Sequence, residues 1–267
     1  MRNDLAIAVQ QHYSTRPVLP LIRDQLRRKG IEDSRVRPED LYPYDQSHAG
    51  GIAATRRLAE RAAIEPGSFV MDLGCGYGSA SRFLHAERRC RVVGVDLTPA
   101  RIETAIALTR LVRIRSGVDF VVGSALSPPI ASGLADVVWT QHVTMNLPDH
   151  AAFIRECARV LKPSGRLASH EWLRKKSGEL PSPLPWASAP SLNHAIEATR
   201  LLTIMKDNNF DPDVEDVTES MRAALAADVV ALEEQDYPPE RTTPLKNLVG
   251  AAGDGLFCCW MIVARKR

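Results

Sequence analysis

The stretch Val70-Met71-Asp72-Leu73-Gly74-Cys75-Gly76-Tyr77-Gly78-Ser79 decides how the rest of the chain is read. Phe69 to Met71 is a short apolar run of the kind that makes a buried strand. The run ends in an acid, passes through glycines at alternate positions and enters a helical pattern at Ser79. Glycine lets the backbone turn sharply and approach a ligand closely. The helix behind it offers free N–H groups and the positive end of its dipole to an anionic or polar group. Together these features predict a binding loop for a small polar cofactor.

Working outward from the loop, strand-like runs fall at 68–72, 91–96, 118–122, 135–140 and 166–172, with helical patterns at 79–88, 99–115 and 149–161. Such alternation predicts an α/β fold, a doubly wound and mostly parallel sheet covered on both faces. In the 149–161 helix Phe153, Cys157 and Val160 form one apolar stripe, Pro148 suits the first turn, and Lys162-Pro163-Ser164-Gly165 ends the element. Upstream, residues 1–66 read as a helical lid or substrate segment that closes with a helix from Ile52 to Ala63 and the Pro66-Gly67 break. Its basic cluster, Arg23, Arg27, Arg28 and Lys29, reads as a solvated helix face. The main domain is expected over 67–267, with a substrate-side loop at 173–195 that contains the proline-rich Pro181-Ser182-Pro183-Leu184-Pro185-Trp186. Beyond it come a helix near 191–208, a strand near 211–217, a helix from Thr218 and a last strand from Gly255 to Ala264.

The 267 residues are 45% hydrophobic and 25% charged, an ordinary globular balance with room for a sizeable core. A net charge of +2, from 34 basic and 32 acidic side chains, gives no overall field for nucleic acid or membrane. The apolar run Leu256 to Ala264 is too short to span a bilayer, and Met1-Arg2-Asn3-Asp4 lacks a signal-peptide layout. An odd count of five cysteines without a Cys-x-x-Cys argues for reduced thiols in the cytoplasm. Cys258 and Cys259 read as small buried hydrophobes, and no metal site is expected.

The dinucleotide fingerprint Gly-x-Gly-x-x-Gly/Ala fits at Gly74 and Gly76 but fails at Ser79, and Asp72 precedes the first glycine. With acid-x-Gly-x-Gly-x-Gly in place, the chain resembles the class I S-adenosylmethionine-dependent methyltransferases. A second match is Val92-Val93-Gly94-Val95-Asp96-Leu97-Thr98-Pro99, an apolar strand ending in an acid. The third, Ala135 through Trp139-Thr140-Gln141-His142-Val143-Thr144-Met145-Asn146, is similar to the family's fourth strand and following loop. The fourth is Arg159-Val160-Leu161-Lys162-Pro163-Ser164-Gly165-Arg166-Leu167. The resemblance covers roughly residues 45–265 and leans toward bacterial enzymes of the sarcosine/dimethylglycine and natural-product type. These carry a similar Asp-Gln-x-His-x-Gly-Gly segment and a Pro-Trp-Ala loop.

The resemblance implies a seven-stranded Rossmann-like sheet whose last strand is antiparallel, with S-adenosylmethionine, or its product S-adenosylhomocysteine, across the carboxyl ends of the strands. By that resemblance Gly74, Gly76 and Gly78 admit the methionine part, Asp72 holds its ammonium end, Asp96 takes the ribose hydroxyls and Leu97 packs on adenine. Ser124 and Ala125 stand where relatives carry an acid and a small residue. Gln141 and His142 face the methionine and methyl region. Methyl transfer depends chiefly on placing the acceptor, with a general base optional. His142, His48, His170 and Glu171 are the candidate catalytic groups, and Asn146, Trp172 and Trp186 the candidate acceptor contacts. The expected activity is methylation of a small metabolite at nitrogen, oxygen or carbon, in secondary metabolism. A homo-oligomer is left open. A non-methylating, cyclase-like role for the same fold is the alternative from another class. A nucleic-acid methyltransferase is disfavoured, because Thr140-Gln141-His142-Val143 replaces Asn/Asp-Pro-Pro-aromatic and no basic stripe with interleaved aromatics is present.

Overall fold

The computed structural model describes residues 2–14, 18–46 and 48–267. Among the described residues four α-helices precede the sheet: α1 (Arg2–Ser14), α2 (Val18–Arg28), α3 (Pro38–Asp45) and α4 (Gly51–Arg61). Strands and helices then alternate: β1 (Phe69–Leu73), α5 (Ser79–Arg88), β2 (Arg91–Asp96), α6 (Pro99–Leu111), β3 (Val118–Val122), β4 (Ala135–Gln141), α7 (His150–Val160) and β5 (Leu161–Arg174). The chain ends with α8 (Ala198–Asp207), β6 (Phe210–Asp216), α9 (Thr218–Glu234), α10 (Pro239–Gly253) and β7 (Phe257–Lys266).

The seven strands lie in the order β3-β2-β1-β4-β5-β7-β6. β1 to β5 pair in parallel, and β7 runs antiparallel between β5 and β6. The expected doubly wound seven-stranded sheet is therefore present. The chain winds outward through β1, β2 and β3, then returns to place β4 on the other side of β1. That reversal leaves a crevice beyond the carboxyl ends of β1 and β4, where ligands bind in folds of this kind. The central strands are apolar on both faces because helices cover both. Met71, Val138 and Phe153 pack on one side, and Val70, Trp139 and Phe83 on the other.

Several boundaries differ from the sequence expectation, each for a local reason. α7 starts at His150, after Pro148, because the Asp149 side chain caps it by accepting the Ala152 N–H at 2.8 Å. The helix expected over 191–208 begins only at Ala198. Ahead of it, Asn193 Oδ1 accepts from the Trp186 indole and the Ala195 N–H, and Glu197 bridges to Arg174, which holds that stretch extended. α10 was not expected. Pro244, Gly250 and Gly253 weaken its intrinsic propensity, and burial of Leu248, Ala251 and Ala252 against the core supplies the stability instead.

Candidate active site

A cavity of about 630 Å³ opens at the strand-order reversal. Its walls come from the β1–α5 loop, the start of α6, the loop after β3, the end of β4 and, from the N-terminal segment, α1. Of the residues singled out from sequence, Asp72, Gly74, Gly76, Asp96, Leu97, Ser124, Ala125, Gln141, His142, His48 and Asn146 all line it.

Asp96 is the junction of the two loops. Its Oδ2 accepts the Gly76 N–H at 2.9 Å and its Oδ1 the Thr98 N–H at 2.8 Å. Each carboxylate oxygen keeps a lone pair free for a further donor. Asp72 is 2% exposed and accepts the Ser81 hydroxyl at 2.6 Å. Burial pushes its carboxyl up to about 7; among the described residues no cation stands at ion-pair distance, and Arg82, paired with Asp45, lowers it only from farther off. A cationic ligand group beside Asp72 would relieve that penalty.

The glycines serve the fold as much as any ligand. A Cβ on Gly74 (φ +74°) would stand 2.4 Å from Val143 Cγ2, so this loop and the loop after β4 touch backbone to side chain. Gly78 does not line the cavity, because the Phe120 ring fills the place its Cβ would take, 2.5 Å away. Gly78 opens α5 in the left-handed region and packs on Phe120.

Two side chains sit at the far end. Gln141 Oε1 accepts from the Trp139 indole at 3.1 Å and from Thr55 Oγ1 at 3.3 Å, which leaves its Nε2 buried and unpartnered. His142 has a left-handed φ of 56°, and its Nε2 is likewise buried without a partner. His48, His142 and His170 gather there, their ring centres 4.8 to 6.2 Å apart. Burial lowers His48 to about 4, His142 well below the ordinary imidazole value and His170 to about 3, so all three are neutral at pH 7. His48 Nε2 lies 3.1 Å from Thr55 Oγ1 and its Nδ1 3.2 Å from the Ala49 carbonyl, and with the Thr55 proton given to Gln141 the one N–H of the neutral ring serves only one of these two oxygens.

Four sequence expectations need correction. His170 and Glu171 do not line the cavity. Alternation along β5 turns them to opposite faces: His170 meets Cys259, and Glu171 reaches under the loop after β4. There Glu171, 0% exposed, accepts the Val143 N–H at 2.8 Å, the Thr144 N–H at 3.0 Å, and the hydroxyls of Thr144, Ser169 and Thr140. It anchors the turn that carries His142 and is out of reach of an acceptor. Trp172 and Trp186 also pack into the core rather than walling the cavity, Trp186 against Phe257 with its indole held by Asn193.

Other lining residues were not anticipated. Tyr13 on α1 donates to Asn146 Oδ1 at 3.1 Å, and its ring takes the Arg101 guanidinium 4.2 Å from its centre, with Tyr77 4.8 Å from the same cation. Gln10 donates to the Leu97 carbonyl at 2.8 Å. Asp45, quoted in the sequence but given no role, receives the buried Arg82 guanidinium at 2.7 Å and the Ser79 hydroxyl at 2.7 Å, and Gln46 donates to Ser79. No periodicity marks Tyr13 or Arg101, since their contacts join elements far apart in sequence.

Residues 71–169 match the family model described as a methyltransferase domain. The match covers 99 of the 267 residues. It runs from within β1 into β5 and so carries most of the cavity wall. Among curated relatives, 2-methyl-6-phytyl-1,4-hydroquinone methyltransferase of Synechocystis sp. is 32% identical over 118 residues, 44% of this chain and 36% of that protein. Glycine/sarcosine/dimethylglycine N-methyltransferase of Actinopolyspora halophila is 26% identical over 83% of this chain and 41% of its own length. The matched stretches thus span well under half of either relative. Among solved structures, geranyl diphosphate C-methyltransferase of Streptomyces coelicolor A3(2), in complex with Mg2+, geranyl diphosphate and S-adenosyl-L-homocysteine, superposes with a TM-score of 0.71 at 23% identity, covering 81% of this chain and 79% of that one. Likeness at that identity speaks to the fold.

Proposed function

We propose that the protein transfers a methyl group from S-adenosylmethionine to a small-molecule acceptor. The observation that carries this reading is the pairing, across one cavity, of a buried carboxylate without a cationic partner (Asp72) with a second acid held by two backbone N–H groups (Asp96). In this reading Asp72 takes the cofactor's ammonium end, Gly74 and Gly76 border its methionine part, and Asp96 accepts from the ribose diol. Leu97, Ser124 and Ala125 flank the adenine, and Gln141 Nε2 turns a free N–H toward the methionine region. When bound, the cofactor supplies an electrophilic methyl group.

The chain's contribution is placement and exclusion of water. The acceptor lies at the end formed by His142, His48 and Asn146, where a neutral imidazole accepts a hydrogen bond from an incoming hydroxyl or amine. Residues 1–66 act as the lid, with α1 fastened by Tyr13 to Asn146 and Arg101 and by Gln10 to the Leu97 carbonyl. Residues 67–267 form the cofactor domain, and 173–195 lie on the acceptor side. All five cysteines are free and buried, which supports action in a reducing compartment, the cytoplasm, on a metabolite of secondary metabolism. Among the described residues no helix is long and apolar enough to cross a membrane.

Two measurements test the reading together. Calorimetric titration should show stoichiometric binding of S-adenosylhomocysteine in the micromolar range and none of NAD. Incubation with methyl-labelled cofactor and a panel of phenols, amines and small acids should then yield a labelled product. Binding of NAD alone would overturn the cofactor assignment. Cofactor binding without transfer to any acceptor class would favour the cyclase-like alternative.

A further inference from the structure

We propose that His142, His170 and Cys259 form a binding site for a soft divalent cation of the zinc class, with one coordination position open toward the cavity. The inference goes beyond the methyl-transfer reading and does not depend on it. One ligand atom from each residue lies within 4.8 Å of those of the other two, and His170 Nε2 stands 3.2 Å from the Cys259 sulfur. His170 and Cys259 are both 0% exposed. Imidazole nitrogen and thiolate are the donors zinc takes in preference to those of hard, oxygen-seeking cations. A tetrahedral ion about 2.0 Å from nitrogen and about 2.3 Å from sulfur separates its ligand atoms by roughly 3.5 Å. The His170–Cys259 pair is already close to that spacing. The widest gap closes with a movement on the order of 1 Å, within reach of rotating the His142 ring about its side-chain torsions.

Two observations beyond proximity point to an occupant. His142 Nε2 is buried without a hydrogen-bond partner, where nearly all such atoms in folded proteins are satisfied. The backbone of His142 is held at φ 56°, a conformation that a residue with a Cβ keeps only where its surroundings over-determine it. Here they do: its N–H donates to the His170 carbonyl at 2.8 Å, and Glu171 anchors the next two N–H groups. This fixed turn sets the ring 4.8 Å from that of His170, centre to centre. His48 stays outside the ligand set, its nitrogens facing Thr55 Oγ1 and the Ala49 carbonyl rather than the other three ligand atoms.

On binding, the Cys259 thiol releases its proton to solvent and the sulfur bonds to the cation, so the thiolate offsets one of the ion's two charges. His142 lines the cavity, which turns the remaining position toward water or an acceptor heteroatom. A bound cation also removes His142 from service as a hydrogen-bond acceptor for substrate.

The test uses the full chain, freed of any histidine tag, stripped with chelator and titrated with Co2+ without oxygen. The expected result is one equivalent bound, with a thiolate-to-cobalt charge-transfer band and tetrahedral ligand-field bands, all displaced by Zn2+. Zinc-edge X-ray absorption on the unmutated protein should show one sulfur at about 2.3 Å beside nitrogen ligands, a readout that needs no variant. Cys259→Ser should abolish the charge-transfer band and weaken Zn2+ by more than about 100-fold, beyond what loss of an outer partner causes. Circular dichroism and the thermal unfolding midpoint of the metal-free protein serve as fold controls for the variant. Absence of stoichiometric binding, a zinc shell without sulfur, or a charge-transfer band that survives in folded Cys259→Ser would each overturn the assignment.

Discussion

At one end of the cavity Asp72, Gly74, Gly76 and Asp96 come from two successive strand–loop units, β1 and β2, and are bound to one another through backbone N–H groups. At the other end Tyr13, His48, His142 and Asn146 come from α1, the loop before α4 and the loop after β4. They meet only because α1 and the N-terminal helices fold back over the sheet. The first end is made mostly of backbone and two carboxylates, a pattern one short segment can encode. The second is made of side chains whose partners are distant: Tyr13 with Asn146, Gln141 with Thr55, Glu171 with Val143 and Thr144. On the proposed reading, a fixed cofactor end and an acceptor end assembled from separate pieces is the division expected of a scaffold that keeps one ligand and varies another.

The sharpest way to break this comparison is at Asp96. Asp96→Ala removes two hydrogen bonds to a charged acceptor, each worth about 1.5 kcal/mol or more, together with any ligand contact. S-adenosylhomocysteine affinity should fall by about 100-fold or more, and unchanged affinity by calorimetry would refute the ribose assignment. At the other end Glu171→Gln should leave that affinity within about threefold but lower kcat by roughly tenfold, through a loosened turn at His142. A matching loss of cofactor affinity would show that the two ends are not separable.

The pH dependence of the cofactor end follows from Asp72, whose folded pKa is raised to about 7. As pH falls below that value the carboxyl becomes neutral, so cofactor affinity should drop, approaching tenfold per pH unit, and Asp72→Asn should flatten the profile. For the ligand-free protein, the same raised pKa means a stability contribution present in full below about pH 4 and lost as pH rises through about 7. Denaturant titrations of wild type and Asp72→Asn across that range measure it. The smallest effect is expected at α1. Tyr13→Phe removes one hydrogen bond to Asn146 but keeps the ring against Arg101, so the acceptor KM should rise about threefold with cofactor affinity unchanged.

The sheet and the acid–glycine end of the cavity were legible from the chain alone because their signals are local. Apolar runs such as Val92 to Val95, the acids that end β1 and β2, and the stripe Phe153, Cys157, Val160 each lie within a few residues and follow one period. Even there nothing near Gly78 in sequence announces that Phe120 fills its side-chain space. α10 was missed for the converse reason: its own residues disfavour a helix, and contacts from elsewhere stabilise it.

The acceptor end depended on folding. His170, Glu171, Trp172 and Trp186 are residue types that often serve active sites, yet burial sends Glu171 to hold a turn and Trp186 to the core. Tyr13 and Arg101 carry no sequence signal and still line the cavity. Strand period and loop chemistry are short-range and can be read along a line. Which side chains share a cavity depends on packing between distant elements, and that is settled only when the chain closes on itself.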